Sequence, residues 1–274
     1  MFGTAIIVFR EVLEASLIIG ILAAATRGVP NSNRWLVAGL LAGLIGSGLV
    51  AAFTDVIGSM ASGVGQEIFN AFVLGVAVLM LAWHNIWMSS HGAALAASAK
   101  SAGKSITEGN SECSILMVIV GLAVLREGSE TVLFLYGIAA SNEGGQSSML
   151  TGGLLGMLAG IAVGYMLYAG LLRVPMRWFF AATGILVLLL AAGMASQAAH
   201  FLIQADLLPS LASPLWDTSA VLPENGLPGM LLHSLVGYDS RPAGMQIVFY
   251  LTALIVIYTG MKLVSRPRHS GAKK

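Results

Sequence analysis

The sequence predicts an all-α polytopic membrane protein with seven transmembrane helices. Of its 274 residues, 57% are hydrophobic and 10% charged, and the mean hydropathy is +0.84, which is too apolar for a soluble domain of this size. The apolar runs are long rather than short and alternating, so they indicate helices that satisfy their own backbone hydrogen bonds in lipid. A single cysteine, Cys113, excludes an internal disulfide and any Cys-rich zinc or iron-sulfur site.

Seven apolar runs are each long enough to cross about 30 Å of hydrocarbon at about 1.5 Å per residue. They cover residues 2–25, 35–53, 64–88, 113–140, 148–172, 177–203 and 244–264. The first run is predicted to be a retained helix rather than a cleaved signal peptide, because Arg10, Glu11 and Glu14 lie inside it. The connection 89–112 is predicted to be a mobile loop, and 204–243 is the other long loop.

The distribution of basic residues predicts an external N-terminus and a cytoplasmic C-terminus. Basic residues occur in the first, third and fifth connections and in the tail: Arg27, Arg34, Lys100, Lys104, Arg173, Arg177, Lys262, Arg266, Arg268, Lys273 and Lys274. The second and fourth connections contain none, and the sixth contains only Arg241 beside four acidic residues. Residues 265–274 are therefore predicted to form a basic cytoplasmic tail after a transmembrane permease domain of residues 1–264.

An internal repeat relates the two halves of this domain. Helix one reads FREVLEASL and helix four reads LREGSETVL 116 positions later, while helix two has GLLAGL and helix five GLLGML. Residues 1–88 and 113–203 are then two copies of three spans each. An odd number of spans inverts the second copy, as in many secondary transporters. The helix 244–264 lies outside the repeat.

Both copies place charged residues in the middle of a helix: Arg10, Glu11, Glu14, Arg126, Glu127 and Glu130. Each unpaired charge there would cost at least about 2.5–3.5 kcal/mol on insertion scales. Within each motif the glutamates are three residues apart and lie on one side of the helix, so two facing helices would present four carboxylates to one point. Oxygen-rich sites without sulfur suit hard cations.

Each arginine precedes a glutamate by four residues, Arg10 before Glu14 and Arg126 before Glu130. At that spacing a guanidinium group holds the carboxylate when no cation is bound. The alternative is that these six residues form only structural ion pairs within the membrane. Two copies at matching positions favour an ion site over that alternative.

The two Arg-Glu-x-x-Glu motifs resemble those of the oxidase-dependent iron permease family, which includes the fungal high-affinity iron permease and the bacterial EfeU-type ferric permeases. The segments AAGMASQAAHFLIQADLLP and LLHSLVGYDSRPAGMQIVFY extend the likeness over essentially the whole chain. The resemblance implies transport of iron, Fe³⁺ or Fe²⁺, as substrate with no permanently bound cofactor, and the motif glutamates as ligands. It also implies a separate extracytoplasmic oxidase or iron-donor partner, the bacterial cytoplasmic (inner) membrane as location, and no nucleic acid partner.

Auxiliary candidates depart from the family pattern. The family usually has Glu-x-x-Glu in its third helix, where this chain has Glu67 and Asn70, and His200 is followed by Phe201 rather than glutamate. We include Glu67 with the motif glutamates as a metal ligand, and Asn70 and His200 as auxiliary residues. His84 is predicted to border the inner end of helix three, where an interfacial role is commoner than ligation.

Two other functions are compatible with the pattern. One is transport of another divalent cation such as manganese or lead, since carboxylates by themselves discriminate poorly between metals. The other is a non-transporting structural membrane subunit. An intramembrane enzyme is disfavoured, because the sequence has no Gly-x-Ser-x-Gly, no paired intramembrane aspartates and no His-Glu-x-x-His. The chain is therefore predicted not to be an enzyme.

Overall fold

The structure, a computed structural model, describes residues 2–61, 65–140, 145–170, 176–223 and 226–265. Within these ranges the chain forms eight α-helices and no β-strand. The helices are α1 (Phe2–Ala25), α2 (Ser32–Ala61), α3 (Gln66–Thr107), α4 (Ser114–Ala140), α5 (Gln146–Tyr168), α6 (Met176–Gln204), α7 (Leu227–Val236) and α8 (Gly244–Ser265). The predicted all-α class is confirmed. Arg173 and residues 266–274 of the predicted tail lie outside the described ranges.

Five helices in the described ranges are long and apolar enough to cross a membrane. The qualifying segments are Ser32–Thr54 in α2, Gln66–Met88 in α3, Gln146–Tyr168 in α5, Ala181–Gln204 in α6 and Gly244–Val264 in α8. With 24 and 27 residues, α1 and α4 are also long enough for about 30 Å of hydrocarbon. Each of these two helices, however, carries three charged residues near its middle.

Glycines allow α5 to pack closely on α1. A Cβ atom at Gly156 would lie 3.0 Å from the backbone nitrogen of Phe9, and one at Gly164 would collide with the side chain of Ser16. No larger residue fits at these contacts without a shift of the helices. Because the contact positions advance together along both chains, α1 and α5 run parallel.

The same kind of contact joins α2 to α4. A Cβ atom at Gly39 would lie 2.7 Å from the carbonyl oxygen of Met117, and one at Gly43 would lie 2.8 Å from that of Gly121. These positions also advance in the same direction, so α2 and α4 run parallel. The α1–α5 and α2–α4 pairs are thus built on the same plan.

Two apolar clusters lie on either side of the charged motifs. The first contains Ile7 of α1 and Phe134 of α4, and the second contains Leu22 of α1 and Leu116 of α4. Helix α1 therefore passes from the first cluster to the second, whereas α4 passes from the second to the first. The two motif helices run in opposite directions, and their charged segments lie between the two clusters.

The predicted end of helix three and the loop 89–112 are wrong, because α3 continues to Thr107. The segment after Met88 is rich in alanine and lacks proline, a composition that favours helix. Its last part is held by tertiary contacts: Ile106 packs in the second apolar cluster, and the Thr107 hydroxyl donates a 2.8 Å hydrogen bond to the carbonyl of Ala25.

The connection 204–243 is likewise not a continuous loop, since it contains the short helix α7. This helix ends at Val236 and is capped by Gly237, which has a φ of 70° and lies in the left-handed region that glycine adopts readily. Gly237 also contacts Gly193 of α6, where a Cβ atom on either residue would meet the other's backbone. Glycine at both positions therefore fixes α7 against α6.

Candidate functional site

The first motif forms an ion pair that is buried from solvent. Nε of Arg10 lies 3.0 Å from Oε1 of Glu14, and both side chains are 3% exposed. The Arg10 guanidinium also lies 3.9 Å from the neighbouring Glu11, which is fully buried. This pairing of Arg10 with the glutamate four residues later is the one that the spacing predicts.

The second motif forms the equivalent pair in a more open setting. Nε of Arg126 donates a 3.1 Å hydrogen bond to Oε1 of Glu130. The guanidinium carbon lies 4.5 Å from the ring centroid of Trp87 on α3, within the range of a cation–π contact. The side chains of Arg126 and Glu130 are 35% and 17% exposed. The two motifs therefore repeat the same pairing with different access from outside the protein.

Carboxylates of both motifs converge with one histidine. Glu11, Glu127, Glu130 and His84 each offer a ligand atom, and these atoms all lie within 4.8 Å of one another. We refer to these four residues as the Glu–His cluster. Glu14 is not a member, because it instead faces the far side of the imidazole, with Oε2 3.6 Å from Nε2 of His84. Nδ1 of the same ring contacts Glu130.

The Glu–His cluster has the chemistry of a cation site. Both oxygens of Glu11 and Oε2 of Glu127 are buried and lack a nitrogen donor within hydrogen-bond distance among the described residues, since the Arg10 guanidinium lies 3.9 Å from Glu11; buried polar atoms in proteins are normally paired. Three carboxylates and an imidazole are a suitable ligand set for a divalent transition-metal ion. An ion bound between them would satisfy these oxygens.

The two sequence motifs do not include His84, and its site role is visible in the structure alone. The residue is 2% exposed and lies well inside α3, not at its end. The signal that could have identified it is the adjacent polar pair His84 and Asn85 within an apolar span, since polar residues inside a membrane span mark functional positions.

The auxiliary candidates lie elsewhere. Glu67 is exposed in the first turn of α3, and Asn70 is half-buried one turn later. His200 lies near the end of α6, with its Nε2 2.9 Å from the side-chain nitrogen of Gln204. None of the three belongs to the Glu–His cluster.

A cavity of about 510 Å³ adjoins the cluster between α1, α2, α4 and α5. Its lining follows α1 from Glu11 to Ala23 and is mostly apolar, with Glu127 at the level of the cluster and Tyr168 near the end of α5. Space therefore leads from the buried carboxylates toward the C-terminal end of α1.

Apolar helices that surround buried carboxylates are typical of integral membrane proteins that bind or transport cations. The model of the iron permease FTR1 family matches residues 1–265, so the chain belongs to that family. Similar proteins named ferrous iron permease EfeU include those of Escherichia coli O6:K15:H31 strain 536 (30% identity over 93% of both chains), Shigella sonnei strain Ss046 (29% over 97% of both) and Yersinia pestis (28% over 93% of this chain and 91% of the relative). No solved structure matches the chain.

Membership of the family confirms three predictions made from the sequence. The chain is an iron transporter rather than an enzyme. It is an integral membrane protein, with five apolar helices able to cross a bilayer in the part of the chain that the structure describes, and its bacterial relatives support the cytoplasmic (inner) membrane as its location. The resemblance to iron permeases, drawn from the two motifs, is also confirmed.

Proposed function

We propose that the chain carries iron across the membrane through one central site formed by the two Arg-Glu-x-x-Glu motifs. The observation that carries this proposal is the convergence of Glu11 with Glu127 and Glu130 from two separate helices, with ligand atoms within 4.8 Å of one another. Glu14 supports the site from behind His84. No other group of His, Cys, Asp and Glu among the described residues has this geometry.

The two arginines would offset part of the negative charge of the site when no ion is bound. Four motif carboxylates in low dielectric repel one another, and a nearby guanidinium offsets part of that repulsion. In the structure Arg10 holds Glu14 at 3.0 Å and Arg126 holds Glu130 at 3.1 Å. When an iron ion enters, it replaces part of this positive charge and Glu130 turns from Arg126 toward the ion. Of the two arginines, the partly exposed Arg126 can change its side-chain conformation more easily than the buried Arg10 when its contact with Glu130 is broken.

The proposed architecture has seven spans, with α1 and α4 added to the five apolar ones. The packing supports an inverted repeat of residues 1–88 and 113–203. In such a repeat α1 corresponds to α4 and α2 to α5, so the parallel α1–α5 contact of one copy should recur as a parallel α4–α2 contact, and both contacts are present. The antiparallel course of α1 and α4 fits the same inversion. Helix α8 remains outside the repeat. The basic connections support an external N-terminus and a cytoplasmic C-terminus.

In this orientation an auxiliary entry site would lie at the outer ends of α3 and α6. Ala71 and Phe201, the neighbours of Asn70 and His200 in sequence, pack in the same apolar cluster, so the two helix ends lie on one side of the molecule. Glu67 is exposed at that end. We propose that these side chains attract iron delivered by a separate extracytoplasmic oxidase or iron-donor protein, a partner that the family resemblance supports.

Uptake by the purified protein in lipid vesicles tests the proposal. Vesicles containing the protein should accumulate radiolabelled iron in a saturable way, and the rates with and without an oxidant would identify the preferred oxidation state. Competition by Mn²⁺ or Pb²⁺ measures selectivity against the alternative cations. Saturable uptake that persists when Glu11, Glu127 and Glu130 are all replaced by glutamine would show that iron crosses elsewhere.

A further inference from the structure

We propose that His84 is an iron ligand, and that its nitrogen gives the site its preference for iron over hard divalent cations such as Mg²⁺ and Ca²⁺. The inference rests on the proposed central site and extends it to a residue outside both motifs. His84 lies on α3, yet its ring stands between the second glutamates of the two motifs, Glu14 and Glu130. It is the one member of the Glu–His cluster that is not a carboxylate.

The imidazole is held so that one nitrogen faces the cluster. Nε2 lies 3.6 Å from Oε2 of Glu14, outside the cluster, while Nδ1 contacts Glu130 inside it. Metal-binding histidines in proteins commonly direct the second ring nitrogen at a carboxylate, which fixes the ring orientation and raises ligand basicity. Glu14 lies on the Nε2 side of the ring, so Nδ1, which contacts Glu130 in the empty site, is the nitrogen that an ion would bind in place of that contact.

The rotation of α3 is fixed beside the histidine. Nδ2 of Asn85 donates a buried 2.9 Å hydrogen bond to the carbonyl of Gly184 on α6. A Cβ atom at Gly184 would lie 3.1 Å from Oδ1 of Asn85, so the glycine permits this close approach. Asn85 therefore acts as a positioning residue that directs the preceding side chain, His84, toward the motif helices.

The nitrogen matters because carboxylates alone select poorly among divalent ions. Oxygen ligands suit Mg²⁺, Ca²⁺ and Mn²⁺, whereas an imidazole nitrogen favours Fe, Ni, Cu and Zn. A site of three carboxylates and one imidazole therefore favours Fe²⁺ over Mg²⁺ and Ca²⁺. Replacing the imidazole by an amide would leave a site that still binds cations but loses this preference.

Pulsed electron paramagnetic resonance of bound Mn²⁺ tests direct ligation without transport. Purified protein with one Mn²⁺ should show nuclear modulation from a coordinated imidazole nitrogen. The signal should disappear in His84→Gln and persist in His91→Gln, a change two turns further along the same helix at an exposed histidine whose ring stacks on Trp87 rather than entering the cluster. Bound Mn²⁺ without nitrogen modulation in the wild-type protein would overturn the assignment of His84. Failure of the wild-type protein to bind Mn²⁺ would instead count against the central site itself.

Selectivity is measured by competition in vesicles. In His84→Gln, excess Mg²⁺ or Ca²⁺ should inhibit Fe²⁺ uptake at concentrations at least about tenfold lower than in the wild-type protein, since loss of even an outer-shell partner typically changes metal affinity by roughly 10- to 100-fold. Glu108→Gln, at the half-exposed C-cap of α3, should behave as wild type. If Fe²⁺ and Mg²⁺ affinities fall in parallel, with reduced thermal stability, His84 has only a structural role and the proposal is wrong.

Discussion

Nε of Arg10 lies 3.0 Å from Oε1 of Glu14 with both side chains 3% exposed, while the equivalent Arg126 is 35% exposed. Removing one partner of a fully buried ion pair leaves an uncompensated charge, which costs about 3–5 kcal/mol in known cases. We expect Arg10→Met to lower the apparent melting temperature in detergent clearly more than Arg126→Met, because Glu130 has partial access to solvent. Equal losses would mean that the difference in burial has no energetic effect.

Glycine contacts between helices give a second prediction. Gly156→Ala places a methyl group against the backbone of α1, and Gly43→Ala places one 2.8 Å from the carbonyl oxygen of Gly121 on α4. Backbone atoms cannot yield as side chains do, so both variants should lose stability in thermal unfolding.

The matched control is Gly75→Ala in α3, where nothing lies within 4 Å of the added Cβ atom. Alanine is favoured over glycine in a helix by about 1 kcal/mol, so this variant should be as stable as the wild-type protein or more so. Stability that does not distinguish Gly156→Ala from Gly75→Ala would contradict the close helix contacts.

Much of the site could be predicted from the motifs. The pairing of Arg10 with Glu14 follows from helix geometry at a four-residue spacing, and duplication of the motif predicts that α1 and α4 meet at equivalent glutamates. Glu14 was nevertheless expected to join the other three carboxylates, and its position behind His84 depends on side-chain packing that spacing does not determine.

The place of His84 at the site could not be predicted from its position in the sequence. Its placement depends on the rotation of α3, which is set by contacts with segments distant in sequence, among them the hydrogen bond of Asn85 to the carbonyl of Gly184 on α6. The length of α3 was missed for a related reason. The hydropathy of the sequence falls after Met88, and such a fall is typical of a loop. The alanine-rich sequence and the contact of Thr107 with Ala25 nevertheless keep the chain helical.

The single cysteine makes the proposed orientation testable. In a Cys113→Ser background, Val221→Cys introduces a thiol at a position that is 87% exposed in the 204–243 connection. Lys104→Cys does so near the end of α3, where the lysine side chain is 75% exposed. A membrane-impermeant maleimide added to intact cells should label position 221 only, and position 104 should react after permeabilisation. The reverse pattern would contradict the orientation inferred from the basic connections.

Asp217 should keep its charge in acid. Its carboxylate accepts hydrogen bonds from the side chain and backbone of Ser219 and pairs with Arg241, which lowers its pKa from 3.8 to about 2. Because the pKa is lower in the folded protein, this contact stabilises the loop above about pH 4 and is lost as the pH falls through about 2. An NMR titration of labelled aspartate should show this, and Ser219→Ala should raise the pKa toward 3.8. An unchanged pKa in Ser219→Ala would exclude the hydroxyl as its main cause.

Glu130→Gln and Glu14→Gln together separate an ion site from a purely structural ion pair. Glutamine is nearly isosteric with glutamate and less costly to place in lipid than a charged side chain. Glu130 belongs to the Glu–His cluster, so Glu130→Gln should remain folded and lose iron uptake per molecule by at least about tenfold. Glu14→Gln should also lose uptake, because Glu14 orients His84. It should in addition be less stable, since Arg10 would remain buried without its counter-ion.

The deciding measurement combines iron uptake per molecule with protein yield and thermal stability in detergent, because uptake alone cannot separate an impaired site from a missing protein. Glu108→Gln is the matched control, since Glu108 is half-exposed and pairs with the exposed Lys104, and it should retain wild-type uptake and stability. Normal uptake per molecule in Glu130→Gln would refute the carboxylate site. Loss of stability in Glu130→Gln as large as in Glu14→Gln would instead show that both motifs serve to hold α1, α3 and α4 together through their ion pairs.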